Sequence, residues 1–387
     1  MTTDFQKAWQ ITKILTEHGF KNVSVIIEKG MAIVSYENRK FRNEVATLRR
    51  VTDLIISAIT DQRTLILVPQ NRQIPLVAVA IPIQTYLSYV KGEISKVEIN
   101  AAIRVSMNVD WLQEKMRSVR NRQTNSILEL NLKTRVRGLF HSQQGVARWS
   151  VDFVPELTFV FARGSQFMVE ALLPVMYQFD EKNKEVRPGR VILNHTRRFP
   201  HNYWLSASLG YFDRSRYGLA LEGVKFWMNG RFYVTLKANY TGYLYFHRNV
   251  WYYSEPSQLS YFANLSYRFS RIDLLVNLGW GRFLIGDRSW KISLSRSFGE
   301  VDLGFYGLWE DASKPSRFLA GLFFKLPLPF FHKNVTKNFS IQTQKNFYWG
   351  LQPHTDTVGR LVKSENSVEI FYRNLFPTYI KNNLINP

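Results

Sequence analysis

From Phe232 to Leu244 the chain alternates almost without a break. Phe232, Val234, Leu236, Ala238, Tyr240, Gly242 and Leu244 are separated by Tyr233, Thr235, Lys237, Asn239, Thr241 and Tyr243. A period of two over this length predicts an extended strand with one apolar and one polar face. Strands of soluble proteins usually run about 5–6 residues, so this one is too long for an ordinary sandwich. The preceding stretch, 217–227, is also strand-like, and Met228-Asn229-Gly230 joins the two with an Asn-Gly turn signal. Long strands, a tight turn and aromatic residues crowding the strand ends predict a transmembrane β-barrel hairpin.

The same alternation runs through most of residues 126–330. Leu128, Leu130, Leu132, Thr134 and Val136 oppose Glu129, Asn131, Lys133, Arg135 and Arg137. Trp149, Val151, Phe153, Leu157, Phe159 and Phe161 oppose Arg148, Ser150, Asp152, Glu156 and Thr158. Further strands are expected over 167–177, 190–198, 203–211, 259–269, 272–283, 289–298, 301–309 and 317–326. The fold expected is mainly β, an antiparallel transmembrane barrel of about 12 strands, an even number whose closure leaves no edge in lipid. Pro174 would remove a ladder bond and so predicts a bulge or a strand end. Short turns at Asn229-Gly230 and Ser270-Arg271 suit the periplasmic side; longer ones at 179–188, 246–258 and 310–316 suit the outer side.

Residues 1–109 read as a small α/β module on the periplasmic side. Ala8, Ile11, Ile14 and Leu15 give a helical period that Gly19 closes, and strands at 23–27 and 31–36 flank Glu28-Lys29-Gly30. A second helix carries Leu48, Val51, Ile55 and Ala58, and a second hairpin turns at Asn71-Arg72, which makes two tandem α-β-β units. Such a module serves either to dock onto other proteins or as a plug or spacer. Residues 86–90 predict a short helix and 96–107 an extended piece. Residues 110–125, with Lys115, Arg117, Arg120 and Arg122, read as a basic linker, either a solvated face or a contact for anionic head groups. Residues 331–387 form a C-terminal strand and tail region, whose end, 363–387, either stays unordered or folds back on the module.

Composition narrows the choice. Of the 387 residues 45% are hydrophobic and 15% aromatic, yet mean hydropathy is −0.21. There is no run of about 18 apolar residues, which argues against helical membrane spans, whereas a barrel averages its two faces and escapes that test. The absence of cysteine excludes disulfides, thiolate catalysis and cysteine-ligated metals. A net charge of +21 would point to nucleic acid on a soluble protein. Here the cations lie in alternating strands (Lys133, Arg135, Arg137, Lys237, Arg268) and at turns (Arg214, Arg216, Arg288). That placement favours polyanions in the lumen and lipopolysaccharide phosphates at the rims over nucleic acid, with charge kept for solubility as the plainer reading. Met1-Thr2-Thr3-Asp4 opens no signal peptide.

Three segments resemble the YjbH/GfcD family: YFDRSRYGLALEGVKFW (211–227), GRFLIGDRSWKISLSRSFGE (281–300) and VDLGFYGLWEDASKPSRFLAGLFFKLPLP (301–329). The family pattern "GRFLAGD", then "SRRF", then "G…W…TD" is met by Gly281-Arg282-Phe283-Leu284, Gly286-Asp287, Ser295-Arg296 and Gly304, Trp309, Glu310 and Asp311. Gln352-Pro353-His354-Thr355 and Gly359-Arg360-Leu361 are similar to the family's "PLTRDGGARL", with Asp356 in place of its basic residue. The likeness spans about residues 150–362 and, less closely, the α/β module. It implies an outer-membrane β-barrel of exopolysaccharide or group 4 capsule systems in a Gram-negative bacterium. Family members carry a further N-terminal half, so the export signal, and a second barrel half as partner, are expected on a longer or separate chain.

Among candidate site residues, Arg282, Asp287 and Arg296 are expected to form a lumen charge network, with Arg214 and Arg216 around Asp213 as a second cluster. Each either stiffens the barrel or holds a sugar carboxylate. Trp251, Tyr252 and Tyr253 form an aromatic loop, suited either to an interface girdle or to stacking on sugars. The histidines lack metal spacing, and no nucleotide or hydrolase motif occurs. Glu156, Glu170 and Glu222 are candidates for lumen carboxylates, in principle a glycosidase pair, more simply partners of nearby cations. No cofactor and no catalytic residue is assigned. The function expected is non-catalytic passage or docking for polysaccharide export, with periplasmic export components as partners; the rivals are a closed structural or adhesive barrel and a glycan- or lipid-acting enzyme.

Overall fold

The computed structural model describes residues 3–112, 115, 127–142, 145–178, 185–213, 215–247, 250–311, 318–336, 339–351, 359–362, 367–372 and 374–385. Helix α1 (Thr3–Glu17) buries Ile11 and Leu15 and is followed by Gly19 at φ +90. Strands β1 (Lys21–Glu28) and β2 (Met31–Glu37) pair as a hairpin. Asn43 caps α2 (Glu44–Ile55) by accepting from the Val45 and Ala46 amides. Strand β3 (Thr64–Asn71) runs parallel to β2 and pairs antiparallel with both β4 (Ile74–Pro75), directly after the turn, and β5 (Ala78–Pro82). The two α-β-β units expected from the repeat are thus joined through β2 and β3 in one sheet. After α3 (Ile83–Val90), residues 96–107 differ from the extended piece expected. Ser95 and Glu98 form a capping box that starts α4 (Lys96–Ala102), and only β6 (Arg104–Ser106) is strand. That S-x-x-E signature outweighs the local apolar alternation. The basic linker falls largely outside the described residues.

The second sheet is built from consecutive antiparallel strands: β7 (Ile127–Ser142), β8 (Gly145–Ala162), β9 (Ser165–Tyr177), β10 (Arg187–Phe199), β11 (Tyr203–Phe212), β12 (Arg216–Trp227), β13 (Phe232–His247), β15 (Gln258–Phe269), β16 (Leu274–Arg282), β17 (Arg288–Phe298), β18 (Val301–Asp311) and β19 (Phe318–Pro327), with β14 (Val250–Tyr253) hung on the end of β13. The strands predicted from alternation lie within a few residues of these. At Pro174 the register shifts, with Val151 opposite Met176 and Asp152 opposite Pro174, so Val175 is the extra residue of the bulge.

The ends depart from the expected even-numbered closure. Strand β20 (Lys333–Val335) pairs with β21 (Phe339–Thr343), which lies parallel on β7, while β22 (Asn346–Leu351) pairs with β19. The pairing path is open, from β20 to β22. A parallel end strand replaces the antiparallel one that an even count requires. Within this mainly β architecture, polarity is inverted relative to a water-soluble sheet. On β13, Thr235 is 1% exposed and Leu236 56%. Asp152, Glu156, Glu170, Arg190, Asn194 and Ser206 are buried on the inner face, whereas Leu205, Leu209, Leu219, Leu265 and Phe305 stand exposed on the outer one.

Of the two outcomes left open for the tail, the structure shows the folded-back one. Helices α5 (Val368–Phe371) and α6 (Pro377–Asn383) bury Tyr372, Phe376, Tyr379 and Ile380 in one core. That core includes Trp204, Phe226 and Tyr233 from the inner face and Leu76, Val77 and Met107 from the module.

Candidate functional site

The inner face is the region where chemistry concentrates, and it divides into three levels. At the module end, residues 367–372 and 374–385 fill it. The Glu222 carboxylate accepts from the Ser367 hydroxyl (2.6 Å) and the Val368 amide (3.3 Å), with Lys237 at 3.5 Å; the Thr235 hydroxyl donates to Glu369 (2.9 Å). The Tyr372 ring meets Phe226 at 5.0 Å and Trp204 at 5.6 Å, and the Arg268 guanidinium, paired with Asp273 at 2.9 Å, lies 4.5 Å from the Phe376 ring. Arg198 ties strand, tail and module together. Its Nη1 donates to the carbonyls of Pro75 (2.8 Å) and Leu76 (2.9 Å), and its Nη2 donates to the Met107 carbonyl. Arg72 reaches from the module to Asn194 (2.7 Å); burial first, and then neighbouring Arg39, lowers its guanidinium below the usual range. The Asn229-Gly230 turn docks there too: Asn229 takes the Met107 amide, and a Cβ on Gly230 (φ +83) would stand 2.4 Å from the Met107 sulfur.

The middle level is a row of closed ion pairs. Glu156 accepts from Lys133 (2.6 Å) and Asn131 (2.7 Å), and Glu170 takes the Arg190 fork with Nε at 2.7 Å. Above it, Arg135 and Arg137 approach Asp152 at 3.3 and 3.4 Å, and Arg187 at 3.7 Å.

At the outer end, the GRFLIGD segment turns inward. The Phe283 amide donates to the Asp287 carbonyl (2.8 Å), Leu284 N to Arg360 O (3.0 Å), and Gly359 N to the Asp287 carboxylate (2.8 Å). Leu284 and Val362 then pack with Met168, Ile192, Phe212 and Ala220, and buried Arg216 donates to the Leu284 carbonyl (3.1 Å) and the Tyr243 hydroxyl (2.7 Å). Burial raises the Asp287 carboxyl, against the lowering by the Gly359 hydrogen bond. Glycine at 279 is sterically required, since a Cβ there would lie 2.2 Å from the Phe262 ring, which packs on Phe283 at 5.6 Å. Gly279→Ala is therefore expected to cost about 1–3 kcal/mol by over-packing, read as a lower urea midpoint of the refolded chain.

Of the residues singled out in the sequence, Arg135, Arg137, Arg216, Lys237 and Arg268 stand on the inner face. The expected Arg282–Asp287–Arg296 network does not form. Arg282 and Arg296 are exposed at outward positions of β16 and β17, where Arg296 lies 4.6 Å over the Phe298 ring, and Asp287 bonds Gly359 instead. Alternation decides this, because both arginines share parity with the outward Leu278 and Leu294. Arg214 lies outside the described residues. Trp251, Tyr252 and Tyr253 are exposed; Trp251 meets Tyr211 at 6.5 Å and Tyr252 stacks on Tyr245 at 4.8 Å rather than on one another. Arg187, Arg190 and Arg198 carry inner-face contacts that the sequence reading passed over. Turn arithmetic held a signal for others: centring the hairpin on Asn229-Gly230 places Glu222 opposite Lys237, and the hairpin closing between Ser142 and Gly145 places Arg135 opposite Asp152.

A large sheet with a charged inner face, packed onto an α/β module and its own C-terminal helices, defines a mainly β class of protein. The family model described as exopolysaccharide biosynthesis protein YbjH matches residues 3–344, and the chain belongs to this YjbH family. Comparison with curated proteins and with solved structures gives no match.

Proposed function

We propose that the chain is an outer-membrane β-barrel that assists export or assembly of an acidic exopolysaccharide, a non-catalytic port stoppered in this state by its own C-terminal segment. The observation that carries the reading is the inverted polarity: a belt of exposed Leu, Phe and Trp outside, buried Arg, Glu, Asn and Ser inside. Water would penalise that arrangement; lipid rewards it. Chain continuity supports closure. Strand β19 leads into β20 through residues 328–332, and β21 leads into β22 across Gln344-Lys345, with the Gln344 side chain accepting the Thr134 amide of β7 at 2.9 Å. Counted this way, twelve long strands and the β21–β22 strand make thirteen, with a parallel seam at β7.

The module sits at the short-turn end, which supports a periplasmic position for it, where it would face export components and a second barrel half. Glu156, Glu170 and Glu222 are held by Lys133, Arg190 and Lys237, which favours a structural role for these carboxylates over glycoside cleavage. The filled inner face also favours a second reading, a structural or docking barrel that never opens.

Outward leucines test the barrel itself. Leu236→Arg is expected to cost about 2–4 kcal/mol if the side chain meets the bilayer midplane. On a watery surface the same change stays within about 0.5 kcal/mol. Urea titration of the chain refolded into vesicles measures the difference. A neutral Leu236→Arg, or a wild-type chain that folds in buffer free of detergent, would falsify the barrel.

A further inference from the structure

We propose that Arg135, Arg137 and Arg187, flanked by Tyr177, form a subsite for the carboxylate of a uronate sugar on the inner face. This deepens the reading above and rests on it.

Two bulges build the cluster. Along β9 the even-numbered side chains Met168, Glu170 and Leu172 are buried, so an unbroken strand would turn Tyr177 outward. The extra residue at Val175 reverses the parity and brings Tyr177 inward. On β10 a second register shift, between Pro188 and Val191, does the same for Arg187, whose neighbours Arg190 and Ile192 set the opposite parity. Gly189 sits within that shift, where a Cβ would stand 2.7 Å from Glu170 Cβ. Two adjacent strands therefore each interrupt their ladder and re-aim one side chain onto the same place, a device bulges commonly serve beside binding sites. Tyr177 ends 5.8 Å from the Arg137 guanidinium and 6.0 Å from that of Arg187.

Distances separate this cluster from the structural pairs below it. Lys133–Glu156 closes at 2.6 Å, Arg190 Nε–Glu170 at 2.7 Å and Arg268–Asp273 at 2.9 Å. These lie at charge-assisted hydrogen-bond length. Arg135 and Arg137 hold back at 3.3 and 3.4 Å from Asp152, Arg137 also donating its Nε to the Ser150 hydroxyl (3.2 Å). Arg187, 3.7 Å from the same carboxylate, also donates to the Glu185 carbonyl (3.4 Å). Asp152 is itself 0% exposed and has no hydrogen bond to Oδ1. The side chains of Arg135 and Arg137 each keep 37% exposure, so their forks still have donors to offer. A planar carboxylate takes such a fork in bidentate fashion. The Tyr177 ring beside it offers a face for the sugar. Asp152 beneath discriminates in the same direction, since its charge opposes a phosphate dianion more strongly than a monoanionic carboxylate.

Titration calorimetry of the detergent-refolded full chain with trigalacturonate, maltotriose and inorganic phosphate tests the subsite. Trigalacturonate should bind, with maltotriose and phosphate at least tenfold weaker. Arg135→Gln and Arg137→Gln should each weaken trigalacturonate by about tenfold or more. Tyr177→Leu, which removes no charge, should weaken it severalfold, and Arg288→Gln on the outward rim should leave it unchanged. Heat-modifiable migration on gels reports folding of each variant. A folded, inserted chain that binds no uronate, binds phosphate as tightly, or binds equally well without Arg135, Arg137 or Tyr177 overturns the subsite and leaves the barrel reading standing. A chain that never inserts overturns both.

Discussion

Deleting residues 367–387 is expected to turn a silent, membrane-inserted protein into an ohmic conductor in planar bilayers. The segment occupies the inner face at the module end through two kinds of contact. One is aromatic, with Tyr372 and Phe376 against Trp204, Phe226 and Tyr233. The other is polar, with Ser367 and Val368 held by Glu222 and Glu369 held by Thr235. Truncating one buried aromatic costs about 3–5 kcal/mol, so Tyr372→Ala alone should loosen the seat without removing the segment. Glu222→Ala keeps the aromatic core and takes away the acceptor at the entry of α5, and it should give intermittent openings. The GRFLIGD turn, which narrows the opposite end through Leu284 and Val362, sets how large the steps become. If the deleted chain inserts and stays silent, the inner face is closed by its own side chains and the structural reading replaces the port.

How much of this is legible in the sequence follows from what each signal depends on. Strand alternation is local, a property of neighbouring residues, and it placed nearly every strand of the large sheet. Turn chemistry is local too, which is why Asn229-Gly230 fixed the register that pairs Glu222 with Lys237. The helix at Lys96–Ala102 was equally local, but its Ser95–Glu98 cap was outweighed by apolar alternation in the reading of 96–107. Parity decides the Arg282 and Arg296 expectation, and it was available from the sequence: counted from Leu278 and Leu294, both arginines face out. Two things were not legible. A bulge at Pro174 was foreseeable, but that it reverses parity to deliver Tyr177 inward depends on which residue the partner strand skips. The fate of the tail depends on long-range packing, since Tyr372 and Phe376 have no periodicity that names Trp204 or Phe226 as partners.

Arg198→Ala is expected to cause the largest loss of stability of any single inner-face change, about 3–5 kcal/mol. The side chain is buried and its guanidinium serves the carbonyls of Pro75, Leu76 and Met107. Each buried acceptor left without a donor costs about 1–3 kcal/mol. The Leu76 carbonyl has a substitute, the Tyr372 hydroxyl at 3.2 Å. The guanidinium also covers the Trp204 ring at 5.4 Å, so the change strips packing from the residue that meets Tyr372. Arg198→Lys should recover little, because a single ammonium cannot span three carbonyls that a planar fork reaches together. Its neighbour supplies the control. Arg197 faces outward over Phe199 at 5.0 Å, and Arg197→Ala should stay within about 0.5 kcal/mol. Urea unfolding followed by tryptophan fluorescence gives the magnitudes, and limited proteolysis gives the mechanism. If Arg198 joins the module to the sheet, Arg198→Ala releases an intact fragment of residues 1–109 at protease levels that leave the wild type whole. A loss below 1 kcal/mol, with the module still protected, would mean that the hydrophobic core shared by Met107, Trp204 and Tyr372 holds the two parts together without the arginine.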